Sequence, residues 1–217
     1  MNRVLICPTA FEMEPLRPLA RKAGMDLLVC GVGPAQAAYA TTRYLEKNRT
    51  PLIILAGIGG AYVEPLIASR KTFIAKSEVF ADLGRCTGDG FEPIEIGGRH
   101  LKTSYTLVEE EKSLVEMVKE SSYLGLSSMA TVSCVSGSRE RAAMISAFFG
   151  VDIENMEGAA VALVCKNYGV RLMELRSVSN LSGDTNKANW DIKGALHLLV
   201  KGFGEFVELL EAWQKDK

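Results

Sequence analysis

Short runs of aliphatic and β-branched residues alternate along the chain with longer segments in which apolar side chains return every three or four positions. That alternation predicts an α/β protein with a central, largely parallel sheet between helices. Arg3 to Cys7 reads as a first buried strand, and Glu12 to Lys22 as a helix with Leu16, Leu19 and Ala20 on one face. Asp26 to Cys30 is the next strand. The turn Gly31-Val32-Gly33-Pro34 introduces an Ala-rich helix to about Lys47, Pro standing where a first turn tolerates its missing N–H. Leu52 to Ala56 and Lys71 to Phe80 read as strands, with Gly57-Ile58-Gly59-Gly60 a loop after the first of them.

The stretch from Gly84 to Gly98, with Asp89-Gly90 and Gly97-Gly98, reads as a long excursion of the kind used for lid or subunit contacts. Glu110 to Glu120 is an exposed helix, Met129 to Val135 a strand, and Ser138 to Phe149 a helix with serine caps. Val151 to Met156 reads as strand, Glu157 to Lys166 as a helix of small residues, and Leu172 to Val178 as a buried strand. A polar loop, Ser179 to Asp184, precedes an amphipathic helix from about Asn189 to Trp213. No repeat or linker interrupts the rhythm, so residues 1–217 are expected to form one domain.

Composition narrows the partners. Twenty-five basic and 26 acidic side chains leave a formal charge of -1, which gives no field for a nucleic-acid backbone or an anionic membrane, and points to a small-molecule ligand. Five widely spaced cysteines form no Cys-x-x-Cys pair, and the two histidines, His100 and His197, stand far apart, so no metal site is expected. Free thiols suit the cytosol. Val4-Leu5-Ile6-Cys7 is too short for the apolar core of a secretion signal, and no run reaches the ~18 apolar residues of a membrane span.

In an open α/β sheet, ligands bind beyond the carboxyl ends of the strands. The candidates there are Glu12 or Glu14, the Gly31 turn, Gly57 to Gly60, Cys134 to Ser136, Met156-Glu157 and Ser179-Asn180. Gly31-x-Gly33 lacks the third glycine and the following acid of a dinucleotide fingerprint, and reads as a tight turn. The glycines at 57–60 allow either a simple turn or close approach of a ligand. Glu157 opens a helix, where an acid is favoured by the macrodipole alone, by ~0.3–1 kcal/mol. The small residues behind it would equally suit a backbone packed to fix one carboxylate, and on these grounds both readings stand.

The segment Asn155-Met156-Glu157-Gly158-Ala159-Ala160-Val161-Ala162, followed by Arg176-Ser177-Val178-Ser179-Asn180, resembles the purine nucleoside phosphorylase superfamily, and its nucleosidase branch most. That branch includes methylthioadenosine/S-adenosylhomocysteine nucleosidases and futalosine hydrolases. The resemblance implies a three-layer sandwich with a mixed, largely parallel twisted sheet, no cofactor, and a homodimer or larger assembly. It implies that Glu157 accepts the ribose hydroxyls, with Asn155 and Met156 beside the sugar, and that Glu14 activates the attacking water, with Glu12 its near rival. Gly57, Ile58, Gly59 and Gly60 would line sugar and base, Cys134 and Val135 would border the purine, and Trp190 would lie on the 5′ side.

The departure is Asn180, where adenine-specific members carry Asp. An amide offers both a donor and an acceptor, so it can serve O6 and a protonated N7, whereas an ionised Asp would repel O6. With Gly183-Asp184 and Asn189-Trp190-Asp191, this is similar to the futalosine hydrolases of menaquinone biosynthesis, which release hypoxanthine. Asn180 as an Asx-turn cap and Trp190 as an anchor of the last helix are the plain alternatives. A phosphorylase would need a basic anion site, for which Arg17, Arg21 and Arg85 are available, and a nucleoside-binding protein would keep the fold without the chemistry.

Overall fold

A computed structural model describes residues 3–87, 90–96, 99–100, 103–107 and 112–215. The elements in order are β1 (Arg3–Cys7), α1 (Ala10–Lys22), β2 (Met25–Val29), α2 (Pro34–Leu45), β3 (Leu52–Ala61), α3 (Glu64–Ser69), β4 (Thr72–Phe80), β5 (Gly84–Thr87), β6 (Gly90–Pro93), β7 (Glu95–Ile96), β8 (Arg99–His100), β9 (Ser104–Thr106), α4 (Lys112–Lys119), β10 (Leu124–Thr131), α5 (Arg139–Phe149), β11 (Ile153–Asn155), α6 (Gly158–Tyr168), β12 (Arg171–Leu181) and α7 (Ile192–Lys215). The main sheet has the order β11-β10-β4-β12-β3-β1-β2, with β9 paired to β4. β2, β1, β3 and β12 run parallel, as do β4, β10 and β11, while β12 meets β4 antiparallel.

The sheet does not end at β11, which also pairs antiparallel with β3. Strands β3, β12, β4, β10 and β11 therefore hydrogen-bond in a closed cycle, and an apolar cluster takes Ala61, Phe73, Met129, Ile153 and Val178, one from each. Helices cover both faces. Phe203, Phe206 and Leu210 of α7 pack with Leu16 of α1 against Leu5, Ile54 and Leu175 on one side. On the other, Ala37 of α2 and Val161 of α6 pack against Val4, Ile6, Ile53 and Leu55. The expected architecture of a mixed, largely parallel sheet between helices is the one found.

Two expected loops are strand instead. β3 continues through Gly57-Ile58-Gly59-Gly60, because β12 pairs with it along its length and β11 takes the far end. β12 likewise runs on through Ser179-Asn180-Leu181, with an irregularity in register between Val178 and Asn180. Local polarity and glycine content mark both as loops, and tertiary pairing overrides them. Helix α3 was not anticipated. Trp190 follows a short 3₁₀ turn, Lys187–Asn189, and the last helix begins only at Ile192. In the excursion, β5 pairs with β6 and β7 with β8; Asp89, Gly97 and Gly98 lie outside the described residues, as do Glu110 and Glu111 of the expected exposed helix.

Candidate active site

The carboxyl ends of β1, β2 and β11 and the far halves of β3 and β12 converge on one cavity of about 320 Å³. Helix α1 brings the first acid. Thr9 caps it by accepting from the backbone N–H of Glu12, and the hydroxyl of Thr9 donates in turn to Glu12 Oε2 at 2.7 Å. The other oxygen, Oε1, accepts from the Ile58 N–H at 3.0 Å. Glu12 is only 5% exposed, yet its carboxylate lines the cavity.

Glu14 does not. It stands on the outer side of α1, its side chain 61% exposed and held by Arg17 at 2.6 Å, facing a separate groove. The Arg17 hydrogen bond pulls its carboxyl below the ordinary value, the wrong direction for a general base. The expectation for Glu14 is therefore corrected in favour of its neighbour: successive helical residues two apart diverge by ~200°, so both cannot face one site.

Glu157 is the second acid, 3% exposed, at the N-terminus of α6. Its Oε1 accepts from the Gly33 N–H at 3.0 Å and its Oε2 from Arg176 Nη2 at 3.1 Å. The chain turns into α6 on Asn155, whose Oδ1 accepts from the N–H groups of Glu157 and Gly158 at 2.9 and 2.8 Å. Asn155 thus borders the cavity while its amide is spent on building the turn that aims Glu157.

Arg176 ties the site together. Its guanidinium, 1% exposed, donates from Nε to Glu174 Oε1 at 2.9 Å, from Nη2 to Glu157, and from Nη1 to the Ile58 carbonyl at 3.3 Å. Burial opposes its charge, but the carboxylates of Glu174 and Glu157 outweigh that, and its pKa is raised. Behind it lies a further acid, Glu78, wholly buried with Glu174. Burial first, and the Glu174 charge next, push the Glu78 carboxyl well up; burial also raises Glu174, against the pull of Arg176. The Glu78 oxygens accept from Asn155 Nδ2 and from the Thr131 hydroxyl. Gly158 leaves the room: a Cβ there would come 2.4 Å from an oxygen of each acid.

The glycines of β3 also act by what they omit. A Cβ on Gly57 would stand 2.6 Å from Arg176 Nη1 and 2.8 Å from Glu12 Oε1, and one on Gly60 2.5 Å from Ser182 Oγ. Ile58, Gly59 and Gly60 line the cavity; Gly57 lies behind them and gives the two charged groups space. Val135, Met156, Asn180 and Trp190 line it as expected, but Cys134 does not: it is exposed, its thiol turned to the Val135 carbonyl. Trp190 borders the cavity, and its indole N–H donates to the Asp184 carbonyl at 2.9 Å. Asn180 makes no Asx-turn: its Nδ2 donates to the Leu181 carbonyl at 3.2 Å and its Oδ1 accepts from the Ser179 hydroxyl at 2.8 Å. One amide N–H and one lone pair are left over.

Several lining residues carried no recognised sequence signal. Glu154, on β11, accepts from Tyr62, from the Ser136 N–H and from the Ser136 hydroxyl. Ser182 lies on what reads locally as a loop. It shares the parity of Asn180, so reading the strand two residues further would have put both on one face.

A family model described as the phosphorylase superfamily matches residues 24–210. The chain belongs to that superfamily. On its nucleosidase branch, the chain is 34% identical over 197 residues to a futalosine hydrolase of Streptomyces coelicolor, covering 88% of this chain and 82% of that one. It is 32% identical over 211 residues to a futalosine hydrolase of Thermus thermophilus, covering 91% and 92%. Among solved structures, a 5′-methylthioadenosine/S-adenosylhomocysteine nucleosidase of Neisseria meningitidis superposes with a TM-score of 0.78 at 19% identity, over 97% of this chain and 99% of that one. The superfamily fold, with its sheet rolled at one end, is thus what carries the cavity.

Proposed function

We propose that the protein hydrolyses the N-glycosidic bond of a purine nucleoside, and that its substrate is futalosine, with hypoxanthine as the leaving base. The observation that carries this reading is the convergence of two buried carboxylates, Glu12 and Glu157, on one cavity with the Asn180 amide, which has one N–H and one lone pair to spare, in its wall. The similarity to futalosine hydrolases supports the choice of substrate.

Each oxygen of Glu157 accepts one bond from the protein, and a carboxylate has about four acceptor positions. The spare positions accept the two ribose hydroxyls, and the carboxylate favours the positive charge that grows on the sugar as the C–N bond breaks, an effect typically worth ~3–4 kcal/mol per group. Glu12 likewise has spare lone pairs facing the cavity. It orients a water and takes its proton as the water oxygen bonds C1′, while the electron pair of the C–N bond leaves with the purine. General-base assistance of this kind adds roughly 10² to 10⁴ in rate. The departing base takes a proton from water at N7 and Glu12 returns its own to solvent; Asn180 gives its spare N–H to O6, and its carbonyl accepts from the protonated N7. Met156 packs under the sugar and Trp190 borders the 5′ substituent.

A phosphorylase reading has less support. Arg17 is taken by Glu14, Arg85 by Glu92 and Arg176 by buried carboxylates. Phe11, Val32 and Val135, at 59%, 52% and 48% exposure, stand around the cavity, and we propose that a second copy of the chain covers this apolar rim. Among the described residues no helix is long and apolar enough to cross a membrane, and Cys7, Cys30, Cys134 and Cys165 are free thiols, which supports a cytoplasmic protein.

The test is incubation with futalosine, inosine and methylthioadenosine, with and without phosphate, and chromatographic identification of the base. Hypoxanthine from futalosine at a rate indifferent to phosphate is expected. Ribose 1-phosphate would make the protein a phosphorylase, preferential adenine release a methylthioadenosine nucleosidase, and binding without release a carrier.

A further inference from the structure

Beside Asn180 a second polar side chain is buried in the cavity wall. Ser182 is 2% exposed, lines the cavity, and its hydroxyl has no hydrogen-bond partner among the described residues. Its backbone is fixed, since the N–H donates to the Ala61 carbonyl at 2.7 Å and continues the β3–β12 ladder. Buried hydroxyls are nearly always bonded, and one left over in a ligand cavity points to the ligand as its partner.

The position says which part of the ligand. Gly60 pairs with Asn180 of β12 on one side and Glu154 of β11 on the other. Over its Cα stand both polar groups: a Cβ there would be 2.5 Å from Ser182 Oγ and 3.4 Å from Asn180 Nδ2. The absent side chain of Gly60 thus leaves the hydroxyl and the amide open to the same edge of a bound molecule.

We infer that the Ser182 hydroxyl is a second specificity-determining group, bonding the same edge of the purine that Asn180 bonds. This rests on the reading of the cavity as a purine nucleoside site. O6 has two lone pairs, so the hydroxyl donates to the one that the Asn180 N–H leaves free. Its bond strengthens as the departing base gains charge.

Ser182→Ala tests this. Because no native bond is lost, the variant should melt at or above the wild-type temperature. Its kcat/KM for hypoxanthine release should fall about tenfold to a hundredfold, and inhibition by free hypoxanthine should weaken in parallel. Wild-type turnover with unchanged kcat/KM and unchanged hypoxanthine inhibition in S182A would overturn the role of Ser182 alone. A melting temperature lowered by several degrees would do so too, by marking the hydroxyl as structural. No base release from any of the three nucleosides and no hypoxanthine binding by the wild type would remove the purine site and this inference together.

Discussion

Between residues 12 and 14, helix α1 turns through ~200°, and that rotation separates two glutamates with almost the same sequence surroundings. Glu12 sits three residues after the Thr9 cap, where a side chain reaches back over the helix start; Glu14 points to Arg17 and water. Proximity in sequence made both candidates, and only the cap position distinguishes them. Glu12→Gln should lower kcat by roughly 10² to 10⁴ with little change in KM, whereas Glu14→Gln should turn over like the wild type. Steady-state kinetics of the pair checks the assignment; equal activity of E12Q and wild type would remove it. For Glu157 the small residues behind it left a fixed carboxylate and a plain acid at a helix start equally open, and only the resemblance of the surrounding segment favoured the first; its partner Arg176 carried no signal of the contact.

The elements that hold Glu157 are joined by the acid pair beneath it. Glu78 comes from β4, Glu174 and Arg176 from β12, and Gly158 from α6, so three elements meet at this acid pair. Glu78 has a raised pKa in the folded protein, so the stability tied to its proton is complete below the ordinary carboxylate range and is lost as pH rises through the folded value. Glu174→Gln keeps an acceptor for Arg176 and turns an amide N–H toward Glu78, with no second charge beside it. Burial of Glu78 remains, so the alkaline loss should shrink rather than vanish. Melting temperatures from pH 5 to 9 should fall less steeply for E174Q than for wild type, and identical slopes would show that the pair is not coupled. The buried acids were hidden in the sequence because each reads as the polar member of an alternating strand. The overrun of β3 and β12 was hidden for a related reason: glycines and serines near a strand end look the same whether the partner strand continues or stops.

For the whole molecule, the alternation of strands and helices sufficed to foresee the layers, while the closure of β11 onto β3 depends on pairing between segments ~90 residues apart, which no local pattern encodes. The apolar rim formed by Phe11, Val32 and Val135 leads to a further expectation at this scale. Sedimentation should show a dimer or larger species, and Val135→Lys should shift it toward monomer and raise KM; a monomeric wild type of full activity would exclude subunit completion of the site. The cycle of five strands has a last consequence, for how the protein comes into being. Glu12 and Gly57 to Gly60 emerge early from the ribosome, but the strands that flank β3 in the finished ring arrive only with residues 153–155 and 171–181. Half the site must wait for the other half. The ring, and the cavity it carries, can close only after residues 153–155 and 171–181 have joined the rest of the chain.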